Sequence, residues 1–334
     1  MNENYRSLSF EEVCATLLAP KPTLILFHRN PDGDAVGSAF ALKRILSSLG
    51  SPAWCVAPDE VPSRLRFLAD SEQKSVLPTS IPASFNGARV ISVDVASPSQ
   101  LGDLRERFGG KVDLMIDHHG NGVPFADHYI LPSAAASGEI LYSFARRLRA
   151  DGKLADDRTV NERLYGAISS DTGCFRFSNA TPPTHRIAAE LIESGIDAAE
   201  INHLLFESNS LDQVRAEGAA ISNLGFAADG KIGYVLFPYS LKASLGVAEE
   251  HLDNLIEIPR SIEGVRVAFS VRQPSSDGIF RVSMRAACDY DVSALCAKFG
   301  GGGHKRAAGC TIEAESMESV VKAVLDAIDP TQIP

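Results

Sequence analysis

Four five-residue runs, rich in apolar side chains, constrain the fold of this chain more than any other feature. Continuous apolar runs of this length are typical of buried strands in a parallel sheet. Helical periodicity separates and follows these runs, and strands that alternate with helices form βαβ units. We therefore predict an α/β protein whose N-terminal sheet is mainly parallel and flanked by helices. The predicted strands are residues 23–27, 53–57, 89–93 and 112–116, and the predicted helices are residues 35–49, 137–149 and 157–169.

The order of the elements divides the chain into two predicted domains. Ser9 and Glu12 form a capping box that opens a first short helix. Residues 184–223 have a helical pattern, with breaks near Gly195 and Ser208. A smaller α/β domain follows, with predicted strands at 232–237, 265–272 and 279–285 and predicted helices at 291–298 and 315–328. A length of 334 residues suits two domains. The predicted boundaries are residues 1–190 for the first domain, 191–225 for a helical connector and 226–334 for the second domain.

Composition excludes several classes of protein. No apolar run approaches the roughly 18 residues that a bilayer-spanning helix needs, so no membrane partner is expected. Residues 1–4 lack the basic and apolar pattern of a signal peptide, and we expect a cytoplasmic protein. The six cysteines form no C-x-x-C pair and are expected to be buried thiols. The net charge of −10 argues against a protein that binds nucleic acid over a basic surface.

Acidic and histidine residues follow the predicted strands directly. Ligands of open α/β sheets bind beyond the carboxyl ends of the strands, so these side chains are expected to converge. Several carboxylates in one crevice repel each other unless they are protonated or hold cations. Mixed aspartate and histidine ligands suit a divalent first-row ion such as Mn²⁺. The converging residues are His28, Asp32, Asp34, Asp94, Asp117, His118 and His119.

Each of these signals has a plainer alternative when it is taken alone. If the chain is still extended after the first strand, Asp32 and Asp34 point to one side. Alternatively, Asp32 and Gly33 form a turn and Asp34 caps the next helix. The residues around His118 also fit a polar surface loop. Asp171 ends a helix, where the macrodipole disfavours a carboxylate, and metal binding would explain its position.

A run of four glycines, residues 300–303, is the second unusual feature. Its backbone amides can approach an anion closely, and His304, Lys305 and Arg306 add positive charge beside it. The run lacks the ending of a P-loop, and the alternative interpretation is a flexible turn that acts as a hinge.

Arginines end two predicted strands near this glycine run. Arg272 and Arg285 lie at the ends of their strands, and strand alternation places Arg281, Ser283 and Arg285 on one face. These arginines extend the positive charge of the predicted anion site. The alternative interpretation is a strand face exposed to solvent.

Together these motifs resemble the DHH phosphoesterase superfamily. The order His28, Asp32 and Asp34, then Asp94, then residues 117–119 and finally Asp171 is similar to its four motifs. Residues 300–304 and 307–309 resemble its associated C-terminal domain. The resemblance covers nearly the whole chain. It is strongest to the branch of nanoRNases and pAp phosphatases, which also includes cyclic-di-AMP phosphodiesterases.

The resemblance implies a site with two divalent metal ions, usually Mn²⁺. His28, Asp32 and Asp94 would hold one ion. The other would be held by Asp34, Asp94, His118 and Asp171, with Asp94 shared between the two. His119 would lie beside the scissile phosphate, and Asp117 would orient the histidines. The residues expected to bind the substrate phosphate are Arg272, Arg285, Gly301, Gly302, Gly303 and His304. Ala286 departs from the serine that is common in this branch, which leaves substrate preference open.

The function implied is metal-dependent hydrolysis of short oligonucleotides, such as nanoRNA or pApA, to mononucleotides. The same site would also suit a pAp 3′-phosphatase or a cyclic-di-AMP phosphodiesterase, and a non-catalytic nucleotide-binding module is the alternative of another class. The sequence leaves the oligomeric state open, with a homodimer as one alternative. Residues 258–310 carry eight basic and four acidic side chains. This local excess favours a short nucleic acid or nucleotide phosphate, rather than a long nucleic acid on an extended basic surface.

Overall fold

The computed structural model describes residues 5–333, apart from the side chains of residues 250 and 253. Residues 1–4, on which the absence of a signal peptide was predicted, lie outside the described residues. The chain divides into two compact units, Met1–Ser208 and Asn209–Pro334. The division falls within the predicted connector at residues 191–225. In that region, the helices Pro182–Glu193 and Ala198–Phe206 pack on the helix Arg158–Asp171 of the first unit, whereas the helix Leu211–Ile221 packs on elements of the second.

The first unit is built on a five-stranded parallel sheet with the strand order β2-β1-β3-β4-β5. Its helices and strands are α1 (Phe10–Leu18), β1 (Thr23–Leu26), α2 (Gly33–Ser48), β2 (Ala53–Val56), β3 (Arg89–Val93), α3 (Leu104–Phe108), β4 (Leu114–Asp117), β5 (His128–Ile130), α4 (Ser137–Ala150), α5 (Arg158–Asp171), α6 (Pro182–Glu193) and α7 (Ala198–Phe206). Short 3₁₀ turns lie at Ser63–Leu68, Pro78–Ser80, Ala83–Phe85 and Pro98–Leu101.

The sequence explains why the first sheet is buried on both faces. Strands β1, β3 and β4 consist entirely of buried residues, which is typical of parallel strands covered by helices. The main apolar core lies between the sheet and helices α2, α4 and α5, and includes the fully buried Phe27 and Phe40. A second apolar cluster covers the opposite face, with Leu26 and Met115 among its buried members. The carboxyl ends of the strands are thus held rigidly at one edge.

The second unit contains a six-stranded mixed sheet with the strand order β10-β11-β9-β8-β7-β6. Only β7 and β8 pair in parallel; the other neighbours are antiparallel. Its elements are α8 (Leu211–Ile221), β6 (Leu224–Ala227), β7 (Ile232–Phe237), α9 (Tyr239–Leu245), α10 (Glu257–Arg260), β8 (Val267–Arg272), β9 (Ile279–Ala286), α11 (Val292–Ala297), β10 (Gly302–His304), β11 (Ala307–Glu313) and α12 (Met317–Ala327), with 3₁₀ turns at Glu249–Ile256 and Pro330–Gln332.

The structure confirms the predicted α/β class and most elements, and it corrects some details. The capping box of Ser9 and Glu12 is present at α1. The alternative interpretation of the glycine run, a flexible turn that acts as a hinge, is wrong for Gly302 and Gly303, because both belong to β10, which pairs with β11. Strands β5, β6, β10 and β11 lack a strong apolar alternation and were missed. Neighbouring strands stabilise them through backbone hydrogen bonds, which a local pattern does not report.

Candidate metal centre

The acidic and histidine residues that were predicted to form a site lie close together in the first unit, at the ends of its strands and helices. Asp117 is the last residue of β4, and Asp94 directly follows β3. Asp34 lies in the first turn of α2, and Asp171 is the last residue of α5. Asp94 has a positive φ of 58°, a conformation that is uncommon for residues other than glycine but relatively tolerated by aspartate. The sheet edge therefore brings together all the N-terminal residues that were predicted to form a site.

His28 faces two carboxylates across this edge. Its Nε2 atom lies 3.7 Å from Oδ1 of Asp32 and 3.5 Å from Oδ2 of Asp94. Its Nδ1 atom lies 2.8 Å from the carbonyl oxygen of Arg29, so this nitrogen carries the proton and donates it. In the neutral ring, Nε2 then directs a lone pair toward two acidic oxygens. A proton or a cation is needed between these groups.

Asp32 and Asp34 have different roles in the backbone at the start of α2. Asp32 is the N-cap and accepts a hydrogen bond from the Ala35 amide at 3.0 Å. The helix begins at Gly33, so the chain is not extended between the two aspartates and Asp34 does not cap it. A side chain on Gly33 would meet Ser170, and this close approach between helices requires glycine. The alternation argument for Asp32 and Asp34 was therefore wrong, although both side chains do reach the site.

Asp34 is held by the beginning of helix α4. Its Oδ2 accepts a hydrogen bond from the Ser137 amide at 2.7 Å, and its Oδ1 accepts one from the Gly138 amide at 3.0 Å. Ser38 donates a third hydrogen bond from its hydroxyl at 2.7 Å. Unpaired amides at a helix N-terminus favour an anion, so α4 fixes this buried carboxylate in place. Ser137 also donates from its hydroxyl to Oδ1 of Asp94 at 3.1 Å.

His118 faces three carboxylates, one of which, Asp94, also faces His28. Its Nε2 atom is 3.9 Å from Oδ2 of Asp34, 3.6 Å from Oδ1 of Asp94 and 3.5 Å from Oδ2 of Asp171. Its Nδ1 atom faces the carbonyl oxygen of Ala134 at 3.3 Å. A histidine that donates one ring N–H to a backbone carbonyl and presents the other nitrogen to the site has the usual arrangement of a metal ligand.

Asp117 orients His119 beside this group. Oδ1 of Asp117 lies 2.7 Å from Nδ1 of His119. Oδ2 of Asp117 is buried and accepts no hydrogen bond from the residues that the structure describes. Burial of His119 opposes its protonation, but the hydrogen bond that it donates to Asp117 and the charges of Asp94, Asp117 and Asp171 outweigh burial and raise the pKa of His119 to about 9. Asp117 therefore fixes both the ring orientation and the proton on Nδ1.

The crowded carboxylates shift one another's proton affinity in opposite directions. Burial, followed by repulsion from Asp94, holds the pKa of Asp34 well above its ordinary value. Burial and the charges of Asp32 and Asp94 likewise raise the pKa of Asp171 well above that value. Burial also opposes the ionised form of Asp94, but the surrounding histidines outweigh this effect and lower its pKa. Asp94 therefore loses its proton more readily than Asp34 and Asp171 do.

The donor atoms fit divalent metal ions. The ligand atoms of His28, Asp32 and Asp94 lie within 4.8 Å of one another, as do those of Asp34, His118 and Asp171. The contacts of 3.5–3.9 Å from the two histidine Nε2 atoms are longer than hydrogen bonds, whereas atoms that share an ion need not touch. Imidazole nitrogens and carboxylate oxygens are the donors that first-row divalent ions accept. The cluster can therefore hold divalent cations.

The residues predicted to bind substrate lie in the second unit, on its sheet. Strand register places Arg285 beside Ala307, and Ala307 beside His304. Directly paired residues project to the same face, so Arg285 and His304 share one face with the small Ala307 between them. Arg285 also contacts Glu257, with 3.9 Å between Nε and Oε1. The predicted common face of Arg281, Ser283 and Arg285 agrees with the alternating burial along β9.

Arg272 lies on the same face, further along the sheet. It is directly opposite Arg281 on β9, and both guanidinium groups approach Oε1 of Glu249, at 3.5 and 3.7 Å. Arg272 is mostly buried, whereas nearly half of the Arg281 side chain is exposed. Arg272 therefore lies apart from the directly paired residues Arg285, Ala307 and His304.

Two glycines of the run are required by close backbone contacts. A side chain on Gly301 would meet the Gly309 carbonyl and the backbone of Cys310, and one on Gly303 would meet the Ala307 carbonyl. Gly303 also has a φ of 142°. Gly302 has open space around its backbone and is exposed. The run thus packs tightly on β11 at two positions and presents Gly302 and His304 outward.

Sequence reasoning missed Ser137 and the Ala134 carbonyl, which hold three of the site residues. The available signal was the run of small residues 134–138 directly before a predicted helix. A helix N-terminus with small residues can approach an anion closely. The sequence alone does not show which anion this helix N-terminus contacts, because Asp34 is about 100 residues away along the chain.

Comparison with known proteins identifies the family of this chain. The DHH family N-terminal domain matches residues 22–168, and the DHHA1 domain matches residues 234–329. A curated relative from Thermus thermophilus, named bifunctional oligoribonuclease and PAP phosphatase NrnA, is 33% identical over 92% of this chain and 89% of its own length. A protein of the same name from Bacillus subtilis is 28% identical over 86% of this chain and 89% of its own length. The chain belongs to the DHH phosphoesterase family.

A solved structure supports the fold of this DHH phosphoesterase. The crystal structure of an exopolyphosphatase-related protein from Bacteroides fragilis superposes with a TM-score of 0.84, at 21% identity, over 95% of this chain and 94% of that chain. This chain therefore shares its fold, over nearly its whole length, with that protein. Among residues 5–333, no helix has the length and apolar character needed to cross a bilayer.

Proposed function

We propose that this DHH phosphoesterase uses two divalent metal ions, Mn²⁺ in preference to others, to hydrolyse short oligonucleotides to mononucleotides. One observation carries the proposal. His28 and His118 each turn one ring nitrogen to a backbone carbonyl and the other toward buried carboxylates. This arrangement leaves places for cations between the groups, at the carboxyl ends of parallel strands where α/β enzymes bind their ligands.

The proposed ligands fall into two overlapping sets. His28 and Asp32 would hold one ion, and Asp34, His118 and Asp171 would hold the other. Asp94 would contribute to both sets, because its Oδ2 lies near His28 while its Oδ1 lies near His118. The small exposure of Asp94 and Asp34 favours ligation, since a buried carboxylate is stabilised by a cation more than an exposed one is.

When bound, such ions polarise phosphoryl oxygens and lower the pKa of water. The protein supplies the positioning. Asp117 holds His119 by Nδ1 and contributes to the raised pKa that keeps both ring nitrogens protonated, so we propose that Nε2 of His119 donates a hydrogen bond to a phosphoryl oxygen as negative charge develops there. His119 and the two aspartates, Asp94 and Asp117, are accordingly the proposed catalytic group.

The second unit is proposed to bind the phosphate at one end of the substrate. Arg285 and His304 share a face of the sheet, and a guanidinium and an imidazole both donate hydrogen bonds to phosphate oxygens. The proposed site also includes the backbone of residues 301–303. Arg272 is proposed to contact a more distant phosphate, because it lies four residues from Ala268, the direct partner of Arg285.

The names of the relatives favour two substrate classes. The Thermus thermophilus relative is named an oligoribonuclease and a PAP phosphatase, so both short RNA and pAp are candidates here. The same ligand set serves phosphodiesters and phosphomonoesters, because only the leaving group differs. Cyclic-di-AMP hydrolysis, a non-catalytic binding role, a cytoplasmic location and a homodimer stay predictions.

A parallel assay tests this proposal. The purified chain is incubated with Mn²⁺ and, separately, with pApA, RNA of increasing length, pAp or cyclic-di-AMP, and mononucleotide or phosphate release is measured. We expect release from dinucleotides and short RNA, with rates that fall as the RNA lengthens. The matched controls are the same reactions with a chelator and with Mg²⁺ in place of Mn²⁺. No release from any substrate would contradict the enzymatic proposal, and faster release from long RNA would contradict the length preference.

A further inference from the structure

The segment of residues 134–138, which leads into α4, contacts three of the proposed metal ligands. One of its carbonyl oxygens lies 3.3 Å from Nδ1 of His118. Two of its amides donate hydrogen bonds to Asp34, and one of its hydroxyls donates to Asp94. One short stretch of the chain therefore aims the donor atoms of three ligands. Side chains that fix the 134–138 segment consequently act on the candidate metal centre without touching it.

Glu139, in the first turn of α4, contacts this segment through its side chain. Its Oε2 atom accepts one hydrogen bond from the Ala135 amide and another from the Thr184 hydroxyl near the start of α6, each at 3.0 Å. Glu139 is 7% exposed, and Ala135 and Thr184 are fully buried. Both partners of the carboxylate are neutral, and a buried carboxylate without a cation is costly. The contact with Ala135 identifies a use for this costly group, because a buried amide needs an acceptor.

Asn179, in the loop between α5 and α6, binds the same alanine. Its Nδ2 group donates one hydrogen bond to the Ala135 carbonyl and one to the Asp171 carbonyl, both at 3.1 Å. Asp171 is itself a proposed metal ligand. Ala135 is thus held through its amide by Glu139 and through its carbonyl by Asn179. Together the two side chains connect the 134–138 segment to the end of α5 and the beginning of α6.

We propose that Glu139 is a positioning residue for the metal ions, assisted by Asn179. This role rests on the proposed function, because it assumes that the cluster binds divalent ions. Without the Glu139 carboxylate, the Ala135 amide loses its acceptor, the 134–138 segment can rotate, and the donor atoms that it aims lose their spacing. Loss of a side chain that orients a metal ligand typically costs about 10- to 100-fold in metal affinity. Glu139 acts one contact further from the ions, so we expect the Kd for Mn²⁺ to rise about tenfold in Glu139→Ala.

Direct measurement of Mn²⁺ binding tests this role without any substrate. The purified full-length chain is titrated with Mn²⁺, and the free ion is measured from its electron paramagnetic resonance signal. Glu139→Ala should bind Mn²⁺ about tenfold more weakly. Glu139→Gln should recover most of the affinity, because its side-chain carbonyl can accept the same two hydrogen bonds. A glutamate that only stabilised the fold would change the unfolding temperature and leave the Kd of the folded chain unchanged.

Glu190→Ala is the matched control. The Glu190 carboxylate on α6 also connects α6 with α4, but its partners there, Tyr142 and Arg146, lie beyond the 134–138 segment. Glu190→Ala should therefore lower the unfolding temperature without changing the Kd for Mn²⁺. A wild-type Kd in a folded Glu139→Ala variant, or an equally raised Kd in Glu190→Ala, would overturn the positioning role.

Asn179→Ala provides the test if Glu139→Ala does not fold. It removes only hydrogen bonds to two carbonyls, and we expect the Kd for Mn²⁺ to rise about threefold. An unchanged Kd in this variant would then overturn the proposal. If the wild-type chain binds Mn²⁺ but cleaves none of the assayed substrates, the proposed function fails while the positioning role stands. If it cleaves them and Glu139→Ala keeps the wild-type Kd, the positioning role fails while the proposed function stands.

Discussion

The candidate metal centre of the first unit and the candidate phosphate site around the glycine run of the second differ in how their side chains are held. Asp34 is fixed by two backbone amides of α4, and His118 faces the Ala134 carbonyl. In contrast, His304 is exposed on an edge strand, and Arg285 is held by Glu257 and by a hydrogen bond to the Met284 carbonyl. One region is buried and fixed by backbone atoms, whereas the other carries half-buried and exposed side chains.

This difference in burial agrees with the ligand proposed for each region, which is a metal ion in the first and a phosphate in the second. Metal ligation requires several donor atoms to lie within a few tenths of an ångström of their ideal positions. Each donor side chain therefore needs a second contact that limits its rotation. A terminal phosphate has several equivalent oxygens and tolerates small movements of a guanidinium or imidazole. Substitutions in the first region should therefore change the rate of the reaction, and those in the second should change substrate affinity.

The largest expected effect is that of Asp94→Asn. Asparagine keeps the side-chain shape and tolerates the positive φ, but it removes the charge shared by both proposed ion sites. We expect kcat on pApA to fall about a thousandfold or more, because stabilising charge near the phosphoryl group is lost. Thermal unfolding in the absence of metal should show that the variant is folded. A folded variant with wild-type kcat would refute the role of Asp94 as a shared ligand.

Ser137→Ala should have the next largest effect. The substitution removes the hydroxyl that contacts Asp94 but keeps the amide that contacts Asp34. Loss of a contact to a metal ligand typically costs about 10- to 100-fold in metal affinity, and we expect the Mn²⁺ concentration for half-maximal activity to rise by that factor. Titration with Mn²⁺ measures the shift.

Ser143→Ala is the matched control for Ser137→Ala. Ser143 is on the same helix, but its hydroxyl contacts the Glu139 carbonyl within the helix. The control should need the same Mn²⁺ concentration as the wild type, and Ser137→Thr should recover most of the lost affinity because it restores the hydroxyl. An unchanged Mn²⁺ requirement in Ser137→Ala would indicate that the serine has no positioning role.

The two regions also differ in how far the sequence predicts them. The convergence of the candidate metal ligands was predictable because each of these residues follows a buried strand or ends a helix, and a parallel sheet brings those ends together. The contact of Ser137 with Asp34 was not predictable, since it depends on how α4 approaches α2. Strand β10 was not predictable either, because its glycines have low strand propensity and pairing with β11 determines their conformation.

His304→Ala tests the second region and should raise KM more than it lowers kcat. Loss of one hydrogen bond to a charged phosphate costs about 1.5 kcal/mol, which corresponds to about a tenfold rise in the KM for pApA. The Mn²⁺ requirement should stay the same. Lys305→Ala is the matched control, because its ammonium group is already paired with Asp289 at 2.8 Å. An unchanged KM in His304→Ala would count against phosphate binding at this position.

The smallest expected effect is the salt dependence of KM, and it tests whether the second region holds the substrate at few points. Each phosphate contact on a single strand contributes about 0.7 to the slope of log KM against log salt concentration. If Arg285 with His304 and, separately, Arg272 bind one phosphate each, the slope is about 1.4, and doubling the salt raises KM about 2.6-fold. The net charge of −10 agrees with so few contacts, since only a local basic excess is needed. A slope of about 4, equivalent to about six contacts, would instead require an extended basic surface, and the contrast between the two regions would then be wrong.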